Sequence, residues 1–279
     1  MTFYEVLKAG EEMLRQGNTE NSAFDARCIF NFAFGMDEKD YIINSKMNCN
    51  DTKDFFPLIE KRLAGCPLQY IIGEWDFMSC TFKVGEGVLI PRQDTELLAE
   101  KAMEYMGSHS VKTVFDLCSG SGCIGISLAK VFPKTDFYCV EISDDALKYL
   151  NENVSLNGVD NITVIKGDIK KGFDNFSLPR PDVILSNPPY ISSSETLSLQ
   201  KEVLSEPRLA LDGGDDGLDF YRVIYSKWTD CLKENGALFL ECGEDQAEKI
   251  KDIFSDGFSC EIFRDYNNIQ RLTAFYKDR

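Results

Sequence analysis

Apolar residues recur every three to four positions through the N-terminal quarter of the chain, then in alternating or short unbroken runs. Phe3, Leu7, Gly10 and Leu14 share one helical face, with Val6 and Met13 beside them. Ser22 opens a second periodic stretch with Ala26, Ile29, Phe30 and Ala33 inward. Asp25 stands where a capping-box acid would, and Gly35 stops the helix. A helix through Leu58, Ile59, Arg62 and Leu63 ends at Gly65, just before Pro67. The period then changes. Trp75-Asp76-Phe77 and Thr81-Phe82-Lys83-Val84 predict a short hairpin, followed by Val88-Leu89-Ile90-Pro91.

From there strands and helices alternate. Strands are expected at 111–117, 137–142, 162–165, 183–185 and 237–241, with helices at 124–131, 218–232 and 246–254. Another helix, capped by Asp144, runs to about 156. Two last strands, 260–263 and 272–276, have no helix between them and predict an antiparallel hairpin. The pattern implies an α/β fold: a doubly wound, mostly parallel sheet of seven strands, covered on both faces. Three parts are expected. They are an N-terminal helical domain at 1–74 that recognises substrate, a β-hairpin linker at 75–91 and a cofactor-dependent catalytic domain at 92–279.

With 43% hydrophobic and 12% aromatic residues, 279 residues can build a packed core. A formal net charge of -16 argues against a polyanionic partner, so direct nucleic-acid binding is not expected. Met1-Thr2-Phe3-Tyr4-Glu5 has no basic stretch leading into an apolar one, and no apolar run approaches membrane-spanning length. A reducing cytoplasm is therefore expected, with the 10 cysteines as packing residues rather than disulfides or metal ligands. His109, the only histidine, lies in the polar run Gly107-Ser108-His109-Ser110 and reads as a solvated linker residue, so a histidine base is not expected.

The chemistry concentrates at predicted strand ends, where ligands of such folds bind. Asn187-Pro188-Pro189-Tyr190 follows the apolar strand Val183-Ile184-Leu185. Successive prolines cannot continue a sheet ladder, so the strand stops and an Asn amide, a Pro carbonyl and a Tyr ring emerge together. Two neutral acceptors and a flat aromatic face suit a planar NH2 group. A proline-rich loop that merely ends a strand is the plainer alternative. Gly120-Ser121-Gly122-Cys123-Ile124-Gly125 matches G-x-G-x-x-G, and Glu141 follows roughly twenty residues on, so a dinucleotide site is a serious rival. Asp116, Glu141 and Asp168 at successive strand ends favour S-adenosylmethionine, whose sulfonium and ammonium suit an anionic rim better than a pyrophosphate does. On this reading Asp116 faces the methionine ammonium or its hydration shell, Asp168 accepts from the adenine amino group and Ile169 packs on the ring. A helix cap or a solvated strand end would explain any one of these acids taken alone.

Asp116-Leu117-Cys118-Ser119-Gly120-Ser121-Gly122, Glu141, Asp168 and the Asn187 tetrapeptide resemble the class I methyltransferase motif series. Pro67-Leu68-Gln69-Tyr70-Ile71-Ile72-Gly73, Val88-Leu89-Ile90-Pro91-Arg92-Gln93-Asp94-Thr95-Glu96 and Glu206-Pro207-Arg208-Leu209-Ala210-Leu211 resemble one branch, the peptide chain release factor glutamine N5-methyltransferases. The resemblance implies methyl transfer from S-adenosylmethionine, without a metal, to the side-chain nitrogen of the glutamine in a release factor's Gly-Gly-Gln loop. It implies that Cys118, Ser119, Gly120, Ser121 and Gly122 hold the methionine part, that Glu141 binds the ribose hydroxyls and that Ile169 contacts adenine. Asn187, Pro188, Pro189 and Tyr190 would hold the glutamine, with Asn187, Pro188 and Tyr190 catalytic and Asn187 also bordering the cofactor. Cys118 replaces a common glycine, Gln93 a common proline, and Ile169 often corresponds to an aromatic. An amino-methyltransferase acting on nucleic-acid adenine or another protein amide would share the tetrapeptide, and a non-catalytic cofactor-binding protein would share the fold.

Overall fold

The computed structural model describes residues 1–52 and 54–277. The chain divides into two compact units, Met1–Glu74 with Gln200–Ser205, and Trp75–Leu199 with Glu206–Arg279.

The first unit is helical: α1 (Phe3–Gln16), α2 (Ser22–Phe34), α3 (Glu38–Asn44), α4 (Phe55–Leu63) and α5 (Leu68–Ile72). Thr2 and Glu5 form a capping box at the start of α1, which buries Val6, Leu7, Gly10 and Leu14. A Cβ on Gly10 would stand 2.5 Å from the Phe55 ring, so glycine here lets α1 and α4 approach closely. Phe30 is fully buried, with Phe3, Tyr41 and Phe55 packed edge-on around it. Asp25 does not cap α2; its carboxylate is buried and accepts from Arg62 Nε at 2.7 Å. An interior Asp finds a guanidinium more rewarding than a helix end that solvent can satisfy. Arg62 Nη2 also reaches Glu202 at 2.5 Å, which ties Gln200–Ser205 to this unit.

The second unit starts with a hairpin, β1 (Glu74–Phe77) and β2 (Cys80–Lys83). Phe77 and Phe82 join the apolar core of this unit, and Asn153 pairs with the Lys83 backbone. The hairpin thus packs into the core of the second unit. There follow α6 (Gln93–Ser108), β3 (Thr113–Leu117), α7 (Cys123–Val131), β4 (Asp136–Glu141), α8 (Asp144–Asn157), β5 (Ile162–Lys166) and β6 (Val183–Ser186). The one-turn helix α9 (Lys201–Leu204) belongs to the first unit. Then come α10 (Asp219–Trp228), β7 (Ala237–Glu241), α11 (Ala247–Ile253), β8 (Phe258–Arg264) and β9 (Gln270–Lys277).

Seven strands lie in the order β5-β4-β3-β6-β7-β9-β8; the first five are parallel, while β9 runs antiparallel to both β7 and β8. The expected doubly wound sheet and its terminal antiparallel hairpin are present. Alternation along each strand separates two cores. Val114, Leu185 and Phe239 meet α6, α7 and α8, whereas Phe115, Ile184 and Leu238 meet α10 and α11. The cap of α8 is Ser143, whose hydroxyl accepts from Ala146, not Asp144, which reaches Lys166 instead. His109 ends α6 in an exposed position and stacks on Tyr105 with 4.0 Å between centroids.

Candidate active site

Successive crossovers run from β3 to β4 and β5 on one side, then return to β6 on the other. The strand order therefore reverses between β3 and β6, and a crevice must open beyond their carboxyl ends. A cleft of about 1090 Å³ of empty space, open to solvent, lies there. Its walls include Cys118, Ser119, Gly120, Ser121, Glu141, Asp168, Ile169, Asn187 and Pro189. Residues from four strand ends, widely separated in sequence, converge on one site.

The turn after β3 is built for close approach. Cys118 has φ +61° and Gly120 φ +55°, both left-handed. A Cβ on Gly120 would meet nothing within 4 Å, which leaves its backbone open to a ligand. At Gly122, φ +81°, a Cβ would strike Leu150 Cδ1 at 2.2 Å, so only glycine fits between the turn and α8. Cys118 occupies a conformation that glycine adopts freely, at a strain of about 1 kcal/mol. Its side chain is small enough to remain in the wall of the cleft. Ser119 Oγ donates to the Asp116 carbonyl at 2.7 Å and fixes the turn from below.

Asp116 differs from the expectation. It is 1% exposed and stands outside the lining of the cleft. Alternation along β3 turns its side chain toward α7, where Oδ2 accepts from the Gly125 amide at 3.1 Å. Gly122, the residue before α7, has no side chain to cap with, so Asp116 serves a first-turn amide from across the sheet. A Cβ on Gly125 would lie 2.7 Å from Cys139 Sγ and 3.0 Å from Asp116 Oδ2, so this contact also requires glycine. Burial pushes the Asp116 carboxyl up to about 7, opposed by the Gly125 amide and aided by the charge of Glu141. Among the described residues, Asp116 Oδ1 has no hydrogen-bond partner.

Glu141 does face the cleft. Its Oε2 accepts from Gly120 N, and its Oε1 from both Ile142 N and Ser143 N, each at 2.8 Å. Oε2 accepts this one bond and has capacity for another. At the end of β5, Asp168 Oδ1 accepts from Lys170 N at 2.9 Å, and the buried Ile169 passes its carbonyl to Trp228 Nε1 at 2.9 Å. Phe220, from the first turn of α10, adds an aromatic side to the same wall, with Lys170 Nζ 4.7 Å from its ring centroid.

The ladder between β6 and β7 ends at the Ser186–Leu240 pair, so the tetrapeptide emerges at the strand end as its prolines require. Glycines press on its backbone: a Cβ on Gly213 would stand 2.7 Å from the Pro189 carbonyl oxygen, and one on Gly217 2.3 Å from that of Tyr190. Gln246 Nε2 donates to the Tyr190 carbonyl at 2.8 Å. Asn187 and Pro189 line the cleft, whereas Pro188 and Tyr190 are outside the lining. Asn187 Nδ2 donates to Thr95 Oγ1 at 3.1 Å, and the Tyr190 hydroxyl lies 3.5 Å from Glu241 Oε1. Burial pushes the Tyr190 phenol well above its usual range, and the charge of Glu241 adds to the rise.

The mouth of the cleft is tied by Glu206, which accepts from the Ile90 amide at 3.1 Å and pairs with the Arg92 guanidinium. Both partners lie in one of the three segments that resemble the release factor branch, 88–96, and Glu206 opens another, 206–211. The sequence alone assigned no role to Thr95, Arg92, Glu206, Phe220 or Glu241. Thr95, Arg92 and Glu206 did lie within quoted segments, which was the available signal; Phe220 and Glu241 carried none. Among the described residues no group of His, Cys, Asp or Glu could hold a metal ion, and no helix is long and apolar enough to cross a membrane.

Residues 93–217 match the Methyltransferase small domain, and residues 5–73 match the PrmC N-terminal domain. A release factor glutamine methyltransferase of Thermodesulfovibrio yellowstonii is 38% identical over 86% of each chain. One from Clostridium acetobutylicum is 35% identical over 98% of this chain and 97% of its own. Among solved structures, the hMettl16 catalytic domain, in complex with an RNA hairpin of the MAT2A 3'UTR, superposes with a TM-score of 0.56. At 16% identity over 78% of this chain and 81% of that one, it shares the fold alone.

Proposed function

The chain belongs to the release factor glutamine methyltransferase family, and on that premise we propose that its cleft holds S-adenosylmethionine while residues 187–190 present a substrate glutamine amide. The observation that carries this reading is the convergence of the open Gly120 turn, Glu141 and Asn187 on one cleft. The cofactor suits the residues present. Glu141 offers an acceptor for a ribose hydroxyl, and Ile169 and Phe220 offer an apolar slot for a purine. Within the turn at 118–122, Gly120 offers backbone without side-chain obstruction. Asp116 acts beneath that turn, where its buried carboxylate favours positive charge nearby without touching the cofactor.

When bound, S-adenosylmethionine would supply an electrophilic methyl group, with S-adenosylhomocysteine as the product. An amide nitrogen is a weak nucleophile, because its lone pair is delocalised into the carbonyl. Asn187 Oδ1 and the Pro188 carbonyl accept the two N–H bonds of the substrate amide and fix the nitrogen in position. The same two acceptors stabilise positive charge that develops on nitrogen, and one N–H proton then leaves to water. No residue needs to remove a proton beforehand, which agrees with a cleft that has no histidine.

The substrate we assign is the glutamine of a release factor's Gly-Gly-Gln loop, methylated at N5. The helical unit is assigned to recognition of that protein, in a cytoplasmic setting. A nucleic-acid substrate is disfavoured, because a chain of net charge -16 repels a polyphosphate. The test is transfer of labelled methyl to a release factor but not to its variant lacking that glutamine. Equal labelling of both would remove the assignment.

A further inference from the structure

Among the groups without a direct part in holding cofactor or substrate, one buried carboxylate is adjacent to both ends of the tetrapeptide. Glu241 closes β7, next to β6 in the sheet, and is 2% exposed, with Oε2 unpartnered among the described residues. Alternation along β7 turns it toward α6, whose first turn carries Thr95, itself 2% exposed. Thr95 Oγ1 accepts from Asn187 Nδ2 at 3.1 Å, and Tyr190 presents its hydroxyl to Glu241 Oε1 at 3.5 Å.

We propose that Glu241 and Thr95 are positioning residues that set which end of the Asn187 amide faces the substrate. A hydroxyl has one hydrogen and two acceptor sites, whereas an ionised carboxylate only accepts. Thr95 also stands within hydrogen-bonding reach of the Glu241 carboxylate, so with Glu241 ionised the Thr95 hydrogen is drawn to it, and toward Asn187 the oxygen can only accept. Asn187 must then turn Nδ2 inward and Oδ1 outward. Only that orientation offers an acceptor to an incoming NH2 group; the flipped amide would oppose donor to donor. Direct contact between Tyr190 and Glu241 lets the same carboxylate orient the aromatic member of the tetrapeptide.

The orientation should depend on protonation. Burial lifts Glu241 to about 7, the Thr95 hydroxyl and the cations Arg271 and Arg92 oppose the rise, and Asp94 adds to it. Tyr190, Tyr221, Cys123 and Cys242, which also stand close to Glu241, are all pushed upward by burial and stay neutral throughout this range. A protonated Glu241 can donate to Thr95, which frees the Thr95 hydrogen and removes the preference for the productive amide orientation. The inference rests on the proposed amide-holding role of Asn187.

The experiment compares Thr95→Val, Thr95→Ser and Glu241→Gln in the full chain, with each fold and cofactor affinity checked first. Thr95→Val should lower kcat about ten- to a hundredfold, less than is usual for deleting a direct transition-state contact. Affinity for S-adenosylmethionine should stay within about threefold, on the scale of a contact not made to the cofactor. Thr95→Ser, which restores the hydroxyl, should recover most of kcat. The wild-type acid limb of kcat should disappear in Glu241→Gln. Independently of turnover, the Asn187 side-chain amide resonances of cofactor-free protein should shift as Glu241 titrates, and not in Glu241→Gln. A wild type inactive on release factors would count against the functional reading but leave this NMR result decisive for the relay. Asn187 resonances that ignore the titration, or a Thr95→Val enzyme with full kcat, would overturn it.

Discussion

Glu141 and Gly120 are locked together: the carboxylate at the end of β4 accepts the Gly120 amide, 2.8 Å away, in the turn after β3. The same acid also takes the Ile142 and Ser143 amides, so it shapes the cleft as well as facing it. Charge-assisted bonds of this kind contribute about 1.5–3 kcal/mol each. Glu141→Ala should therefore weaken binding of S-adenosylmethionine by about ten- to a hundredfold, and by more if the turn also loosens. Calorimetry decides this; an unchanged affinity would remove Glu141 from the cofactor site.

Asn187→Ala should behave differently. Its side chain reaches Thr95 rather than the glycine turn, so cofactor affinity should change little. Turnover should fall by about a hundredfold or more, the scale of losing one preorganised polar contact. Equal losses in affinity and kcat would mean that Asn187 mainly supports the cofactor wall.

The contrast between these residues marks how far the sequence could be read. Asn187 was legible because two prolines end a strand whatever surrounds them, and Glu141 because its spacing from the glycine turn reflects one strand–helix–strand unit. Glu241 was not, because its importance depends on β7 lying beside β6, and periodicity does not state which strands are neighbours. Asp116 was recognised as an unusual acid, yet its direction was misjudged, because alternation along β3 points it beneath the turn and toward α7. Phe220, from a helix remote in sequence, supplies the aromatic wall that Ile169 does not. The long helix α6 escaped notice because alanines make up much of its buried face, with Ala99 and Ala102 beside Leu98 and Met106.

Acid stability should bear the signature of the two buried acids. The folded protein holds Asp116 and Glu241 at about 7, above their ordinary values of 3.8 and 4.5. Between about pH 4 and 7 the native state thus binds more protons than the unfolded state, and these two groups make stability fall as pH rises. Their contribution is fully present below about pH 4 and lost through about pH 7, a few kcal/mol for each group. Denaturant unfolding of the cofactor-free protein should show this slope, reduced in Asp116→Asn. A variant with the same slope as wild type would mean that Asp116 is ionised throughout the range.

The helical unit depends on Arg62, which lies between Asp25 and Glu202. Removing one partner of a buried ion pair leaves an uncompensated charge, so Arg62→Met should destabilise this unit by about 3–5 kcal/mol. Appearance of a distinct early unfolding transition, with cofactor binding retained, would identify the affected unit. If this unit recognises release factors, the variant should also raise the KM for the protein substrate. An Arg62→Met chain that melts like wild type would show that Asp25 is satisfied without the guanidinium.

The central claim is that this chain methylates the glutamine amide of a release factor, and mass spectrometry tests it most directly. Intact protein is incubated with methyl-labelled S-adenosylmethionine, release factors from the same cell and nucleic acid from that cell. One added methyl group on the Gly-Gly-Gln glutamine, lost in Asn187→Ala, is the result expected. Label in the nucleic acid, with every release factor unmodified, would contradict the account.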